Sequence, residues 1–267
     1  MQKNAQRLFA NEKIEYFAPL SYADCKELRP DIIERCGILP QSVIVFLIPY
    51  YSGEAKNLSL YAVSKDYHIA VKEITERLIA GLRQEFPENE FFGFGDHSPI
   101  DERHAALIAG LGILGDNRLL INEKYGSYVF IAEIISDLDP EALGALKPMP
   151  ISRCEGCGAC TRACPTKSLT GDGVCLSDIT QRKGELTESE IWLMCSQGTV
   201  WGCDACQISC PHNTDPRPTP IEFFHKERIG ELTSELLDSM SDAEFRERAY
   251  SWRGRKTVKR NLDSLGY

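Results

Sequence analysis

Nine of the eleven cysteines in this 267-residue chain fall between residues 154 and 210. Their first motif is Cys154-x2-Cys157-x2-Cys160-x3-Cys164-Pro165, and the second is Cys203-x2-Cys206-x3-Cys210-Pro211. In the first spacing three thiolates bind one four-iron cluster while the fourth reaches across to another. The sequence therefore predicts a segment that binds two [4Fe-4S] clusters.

The crossing pattern divides these thiolates into two ligand sets. The first set is Cys154, Cys157, Cys160 and Cys210. The second set contains Cys164, Cys203, Cys206 and one further thiolate. Cys175 and Cys195 are the two candidates for that last place.

A pair of zinc sites is the alternative to two clusters. Zinc accepts four thiolates from paired CxxC arms. The run from Cys154 to Cys164 crowds its thiols too closely for an independent tetrahedral site. The spacing therefore favours iron-sulfur clusters.

Composition places the chain among cytoplasmic proteins. It contains no run of eighteen apolar residues, and residues 1–17 lack the apolar stretch of a secretory signal. Disulfides seldom persist in the cytoplasm, and we therefore expect most of these cysteines to bind a metal or to act in catalysis. The net charge of −9 excludes general attraction to nucleic acid, and a polyanionic partner would need a local basic patch.

Hydrophobic patterning predicts an α+β fold. Residues 1–36 are predicted to be helical, 60–86 to form one amphipathic helix and 100–109 another. The predicted strands and extended segments are 42–51, 91–94, 118–122 and 127–135. Helices separate these strands, so an α/β or α+β domain is expected up to about residue 145.

Proline-rich linkers delimit the cysteine segment. Pro148 and Pro150 precede it, and a second such stretch spans 211–220. We therefore predict an α/β domain over 1–145, a bacterial ferredoxin-like domain over 146–220 and a short helical segment over 221–267.

Several stretches outside the cysteine motifs resemble one family. These stretches are SVIVFLIPYY at 42–51, LYAVSKDYH at 60–68, GDHSPIDERHAALIAGLGILGDNRLLINEKYGSYVFIAEII at 95–135, GCDACQISCPHN at 202–213 and KRNLDSLGY at 259–267. In order and spacing they resemble the epoxyqueuosine reductases, which are related to corrinoid reductive dehalogenases. The resemblance covers most of residues 40–267.

The resemblance implies a cofactor and a reaction. It implies a nitroreductase-like N-terminal domain that binds base-off cobalamin, which is reduced through the clusters by an external low-potential donor of the ferredoxin or flavodoxin type. The family removes the epoxide oxygen of epoxyqueuosine in tRNA, and a smaller related substrate is the variant of this hypothesis. The resemblance also favours Cys175 over Cys195 as the eighth ligand.

A proton donor is required, because the departing oxygen leaves as water. The family's acid matches Asp96 of Asp96-His97-Ser98-Pro99. The plain alternative is an Asp that shapes a turn. Glu102 is the rival acid, although a Glu in a first helical turn also has a simple structural explanation.

The matched stretches also indicate the surroundings of the corrin. The residues expected there are Tyr67, His68, Asn122, Tyr125, Gly126, Ser127 and Gln207. His68 on an amphipathic helix could instead be a packed histidine. Gln207 lies between cluster ligands, where its amide could donate to a sulfur or the cofactor, or simply face solvent.

Two features bear on the substrate. Gly115-Asp116-Asn117 stands where the family usually has a Gly-Lys pair, so a positive charge is replaced by a negative one. The run from Arg253 to Arg260 contains five cations and is the candidate patch for tRNA phosphates or the cobalamin phosphate, or else a solvated helix face.

Two other functional classes stay open. A non-catalytic electron carrier or corrinoid-reducing partner would have clusters without a substrate cavity. A corrin-binding module would use its clusters for structure alone.

Overall fold

The computed structural model describes residues 2–171 and 173–267. The chain forms two compact units, each defined by residues that contact one another more than they contact the rest of the chain. The first contains residues 1–49 and 70–156, and the second contains 50–69 and 157–267. The three domains expected from the sequence, with boundaries near residues 145 and 220, stay a prediction.

The first unit is built on an antiparallel sheet. Its strands are β1 Phe17–Ser21, β2 Ser42–Pro49, β3 Phe91–Phe94 and β6 Val129–Ser136, in the order β1-β2-β6-β3. A two-stranded ladder joins β4 Ile113–Leu114 and β5 Leu120–Ile121. The helices are α1 Gln2–Asn11, α2 Pro30–Cys36, α4 Glu102–Ile108, α5 Pro140–Leu143 and most of α3 Tyr67–Glu85.

The core of this unit follows from strand β2, whose eight residues are all buried. Val43, Val45 and Leu47 point to one face and join the buried side chains of α4 in one apolar cluster. On the other face Phe46 packs against Phe9 of α1, with ring centroids 5.4 Å apart. A central strand that is buried on both faces has apolar residues at consecutive positions, and the sequence of β2 shows this pattern.

Helix α3 approaches β3 closely at a glycine. A Cβ on Gly93 would lie 2.7 Å from the Cβ of Thr75. A side chain at this position would push α3 away from the sheet.

The second unit combines short helices with an apolar cluster. Its helices are α6 Ala159–Ala163, α7 Leu176–Gln181, α8 Glu188–Ser196, α9 Ala205–Ile208, α10 Ser234–Ser239, α11 Asp242–Arg246 and α12 Arg255–Leu265. Trp201, Tyr250 and Leu262 are fully buried in the cluster beneath α12.

The α+β class is confirmed, and two local predictions were wrong. Residues 1–36 are not helical throughout, because β1 pairs with β2 as an edge strand, a place where Pro19 costs no ladder bond. The helix predicted over 60–86 begins only at Tyr67. The Asp66 carboxylate accepts the His68 N–H at 3.0 Å there and satisfies a donor of the first turn.

Within the described residues, no helix has the length and apolar character needed to cross a bilayer.

Candidate functional site

Four thiols lie in one neighbourhood of the second unit. Burial raises the pKa of Cys203 to about 11, and the charges of Cys175, Asp204 and Cys164 add to the rise. Burial also raises the pKa of Cys206 to about 12, with added contributions from Cys203 and Cys175. The structure thus brings together the predicted second ligand set, including Cys175.

The competing thiol lies elsewhere on the same unit. Cys195 is exposed on α8, and its Sγ donates to the Ser264 carbonyl at 3.2 Å. This geometry favours Cys175 as the ligand.

Cys164 is prepared to bind metal as a thiolate. Burial alone would raise its pKa, but hydrogen bonds from Ser168 and Thr166 lower the pKa to about 7. The Sγ lies 3.4 Å from the Ser168 hydroxyl and 3.6 Å from that of Thr166. Because the thiolate is the metal-binding form, these hydroxyls favour ligation.

The first motif begins at the end of the first unit. Cys154 donates its N–H to the Leu114 carbonyl at 3.0 Å, and its Sγ accepts the N–H of Asp116 at 3.4 Å. Asp116, which stands where the family usually has a lysine, therefore lies directly beside a predicted cluster ligand. In the second unit, α6 with the buried Cys160 packs against α9.

These thiols suit a cubane better than a single ion. All eleven cysteines are free thiols. Among residues 2–171 and 173–267, no three His, Cys, Asp or Glu side chains converge as ligands of one metal ion would. Zinc needs four donors about 2.3 Å from a single centre. A cubane binds its four thiolates through four separate irons, so neighbouring but unconverged thiols fit it.

Asp96 lies on a strained loop after β3. Its φ is 65°, a left-handed conformation that is uncommon for a residue other than glycine and that Asp adopts more readily than most. Its N–H donates to Glu102 Oε2 at 3.0 Å, and its side chain is exposed. The loop is also held from α2, because Arg29 Nε donates to the Ser98 carbonyl at 2.9 Å.

Burial raises the pKa values of two carboxyl groups near this loop, Glu102 and Glu133. Burial raises the pKa of Glu102 to about 7, and the charge of Asp96 adds to the rise against the hydrogen bond from the Asp96 N–H. Burial raises the pKa of Glu133 to about 8, and Glu102 adds to it. Glu133 is not among the residues predicted from the sequence, although a single acidic residue inside the apolar strand at 127–135 is a signal that could have identified it.

A tight turn holds four of the expected corrin neighbours. The Asn122 side chain donates to the Leu111 carbonyl at 2.9 Å and accepts the N–H groups of Lys124 and Tyr125. Gly126 has a φ of 57°, where glycine allows a close approach to the backbone. Asn122 therefore shapes the turn, and Gly126 and Ser127 are buried, with the Gly126 N–H and carbonyl both paired with the main chain of Asn122.

The other expected neighbours belong to the second unit. Tyr67 stacks on His68 with ring centroids 4.1 Å apart, and His68 Nδ1 lies 2.7 Å from Asp66 Oδ1. Gln207 is buried and donates from its amide to the Tyr50 hydroxyl at 3.2 Å. The solvent-facing alternative for Gln207 is therefore wrong.

Most cations of the C-terminal basic run are engaged within the second unit. Arg255 donates to the carbonyls of Leu237 and Met240, and Lys259 pairs with Asp238 at 2.6 Å. Arg260 donates to the carbonyls of Arg182 and Gly184. The run serves largely to fasten α12, so the prediction of a phosphate-binding patch is weakened.

The cysteine segment and most of the whole chain are similar to known proteins. Residues 153–213 match the family model of a 4Fe-4S double cluster binding domain, which confirms the predicted clusters. The epoxyqueuosine reductase of Leadbetterella byssophila is 34% identical over 239 residues, which cover 83% of this chain and 76% of the relative. That of Listeria monocytogenes is 29% identical and covers 96% and 71%.

A solved structure shares the fold. It is an epoxyqueuosine reductase with a tRNA-Tyr epoxyqueuosine-modified stem loop. The TM-score is 0.77 at 22% sequence identity, over 98% of this chain and 80% of the other.

Proposed function

The chain belongs to the epoxyqueuosine reductase family, and from that premise we propose that it reduces the epoxide of epoxyqueuosine in tRNA. Family membership together with a double-cluster segment is the observation that carries this proposal. The reaction converts an epoxide, two electrons and two protons into a carbon-carbon double bond and water. The protein must therefore deliver electrons and protons to one place.

The clusters account for electron delivery. A [4Fe-4S] cluster accepts one electron at a time, and an external low-potential donor of the ferredoxin or flavodoxin type would supply both in turn. The Cys164 environment and the grouping of Cys175 with Cys203 and Cys206 support the second cluster.

Cobalamin is the proposed second cofactor, and when bound it supplies the metal centre at which the epoxide is reduced. On the ground of the family resemblance, we propose that the turn that contains Asn122, Tyr125, Gly126 and Ser127 contributes to the binding of this group. Tyr67, His68 and Gln207 are further corrin-binding residues that we propose on the same ground.

Asp96 is the proposed acid that touches the substrate. Its exposed carboxyl on a strained loop can reach a bound ligand, whereas Glu102 is fixed behind it by the Asp96 N–H. Glu102 is accordingly assigned a positioning role. Proton transfer from a well-placed acid contributes about 10²–10⁴-fold to a rate.

The tRNA stem loop is the proposed macromolecular substrate, and the cytoplasm is the proposed location, since it holds the tRNA. With most cations of the basic run engaged, we expect few phosphate contacts from α12. Binding by few phosphate contacts depends only weakly on salt.

The test is anaerobic reconstitution of the full chain with iron, sulfide and cobalamin, followed by assay on an epoxyqueuosine-containing stem loop. Wild-type turnover and a loss of at least about 10²-fold in Asp96→Asn are expected. Asp139→Asn is the matched control, because Asn is also a good cap for α5.

Two results would contradict the proposal. One is no queuosine formed by a wild-type chain that carries both cofactors. That result would favour a non-catalytic electron carrier. The other is full activity in Asp96→Asn, which would show that Asp96 is not the acid.

A further inference from the structure

Asp96 lies at the centre of a tight three-residue turn. The His97 N–H donates to the Gly95 carbonyl at 2.8 Å, and the φ of Asp96 is 65°. A three-residue turn with a positive φ at its centre is rare and strained. Such a conformation persists only where the surrounding structure holds it. The groups that hold this turn therefore determine where the Asp96 carboxyl lies.

The chain that leads into α2 runs alongside the chain that follows this turn. The N–H groups of Leu28 and Arg29 both donate to the Pro99 carbonyl, at 2.8 and 3.0 Å. In the other direction, the Asp101 N–H donates to the Lys26 carbonyl at 2.8 Å. These three hydrogen bonds are made by the main chain and do not depend on the side chain at position 29.

The Arg29 side chain extends this attachment to the two residues that directly follow Asp96. Its Nε donates to the Ser98 carbonyl at 2.9 Å, and its Nη1 lies 2.5 Å from His97 Nδ1. Because a guanidinium has only donors, the imidazole nitrogen is the acceptor. A planar guanidinium that uses two of its nitrogens also fixes the direction of both contacts. Ser98 is buried and His97 is exposed, so Arg29 connects the buried and exposed parts of the loop.

Glu102 supplies a second attachment of the same turn. Its Oε2 accepts the Asp96 N–H at 3.0 Å. Glu102 is the first residue of α4, and Arg29 is the N-cap residue of α2. Charged side chains at the starts of two helices thus hold the N–H of Asp96 and the two residues after it. None of these contacts uses the Asp96 carboxyl.

We propose that Arg29 is a positioning residue that fixes the turn of Asp96 in the orientation needed for proton transfer. This inference rests on the proposed function, in which Asp96 is the acid that touches the substrate. Arg29 acts only through His97 and Ser98. Without its side chain the main-chain hydrogen bonds to Pro99 remain, so the loop should loosen locally while the sheet stays folded.

The first test needs no substrate. Amide hydrogen exchange of the full chain loaded with both cofactors is followed by mass spectrometry in the wild type and in Arg29→Ala. The amides of 96–101 should exchange about tenfold faster or more in the variant, the effect of losing one hydrogen bond from a charged group. The amides of β2 and β6 should keep their protection. Equal exchange at 96–101 in the two proteins would overturn the proposal.

Arg35→Ala is the matched control for this comparison. Arg35 lies on α2 and pairs with Asp31 at 3.1 Å, within the same helix. Its removal takes away one arginine from the same region without a change at the loop. Exchange at 96–101 should therefore equal that of the wild type. Faster exchange there in both variants would show that α2 as a whole, and not the Arg29 contacts, holds the loop, and would overturn the proposal.

The second test is steady-state reduction of the epoxyqueuosine-containing stem loop. Displacement of a catalytic group by about 1 Å can cost about 10²-fold in rate, so Arg29→Ala should lower kcat by about that factor. KM should stay within about twofold, because the substrate itself loses no contact. Arg29→Lys should recover part of the loss, since an ammonium can donate to one of the two acceptors but lacks the planar fork.

Two kinetic results would overturn the positioning role. One is an unchanged kcat in Arg29→Ala. The other is a raised KM at unchanged kcat, which would make Arg29 a contact to the RNA.

The two tests separate this inference from the proposed function. An inactive wild type that carries both cofactors would contradict the proposed reaction, and the exchange comparison would still decide whether Arg29 fixes the turn. An active wild type together with full kcat in Arg29→Ala would uphold the reaction and refute the positioning role.

Discussion

The sheet of the first unit and the cysteine segment at 154–210 are stabilised in opposite ways. Strand β2 is buried along its whole length, and its Val43, Val45 and Leu47 belong to a cluster of fifteen buried apolar residues. In the cysteine segment, Leu176, Ile179 and Met194 form a small buried cluster, and near the C-terminal end of the segment Val200 and Trp201 join the larger cluster beneath α12. The helices α6, α7 and α9 of the segment have four to six residues each.

This difference indicates what each region needs in order to fold. Helices of one turn are marginal without partners, and a small apolar cluster supplies little of the free energy of folding. In metal-dependent domains the binding free energy is folding free energy. We therefore expect the sheet to be stable through its own side chains and the cysteine segment to depend on its clusters.

Removal of the clusters should give the largest effect. After anaerobic chelation of iron, amide hydrogen exchange should become fast throughout residues 157–210, while amides of β2 and β6 stay protected. The measurement is exchange followed by mass spectrometry with and without iron. Equal loss of protection in both regions would contradict the comparison.

The choice of eighth ligand gives the next effect. Cys175→Ser should lower the content of about eight irons toward about four, because one cubane loses a thiolate. Cys195→Ser is the matched control and should keep the full content, since the Cys195 thiol donates to the Ser264 carbonyl. Iron analysis of both variants decides the assignment, and the reverse pattern would make Cys195 the ligand.

The buried carboxyl of the sheet predicts a pH-dependent stability. The pKa of Glu133 rises from its ordinary value of 4.5 to about 8 in the folded state, so the folded state binds more protons between these values. Its contribution is present in full below about pH 4.5 and is lost as the pH rises through 8. Each pKa unit corresponds to about 1.4 kcal/mol, so several kcal/mol of pH dependence are expected.

Denaturant unfolding at pH 5 and pH 8.5 measures this dependence. In Glu133→Gln the free energy of unfolding should change less between the two pH values than in the wild type. An equal change in both proteins would show that Glu133 is already ionised at pH 5.

The smallest effect is expected from a substitution of Asp116, which lies beside the predicted cluster ligand Cys154. Asp116 is exposed, its N–H donates to Cys154 Sγ, and its carboxylate lies near Gly156. Loss of a nearby negative charge makes reduction easier, so Asp116→Asn should raise one cluster potential by roughly 20–60 mV. An anaerobic redox titration checks this, and a lowered potential would contradict it.

The sequence predicted the features that depend on local pattern. Strand β2 could be predicted because a short, β-branched apolar run between turn residues is typical of a buried strand. The double-cluster segment could be predicted because a cubane imposes its spacing on the chain, while the assignment of each cysteine to a cluster stays a prediction. The end of α3 at Glu85 likewise agrees with the helix predicted to end before Pro87.

Features that depend on distant pairing could not be predicted. Glu133 faces Glu102 only because β6 aligns Glu133 with Val45 and Phe94, a register that no local pattern encodes. Asp204 is another example. It lies between two cluster ligands, yet its carboxylate accepts the Ser59 hydroxyl at 2.5 Å and the Leu60 N–H at 2.6 Å from far along the chain.

The central claim is that eight thiolates hold two iron-sulfur cubanes, and metal and sulfide analysis of the anaerobically purified chain tests it most directly. We predict about eight irons and eight acid-labile sulfides per chain, with Mössbauer spectra of [4Fe-4S] clusters alone. A colourless chain that contains about two zinc ions and no sulfide would contradict the account.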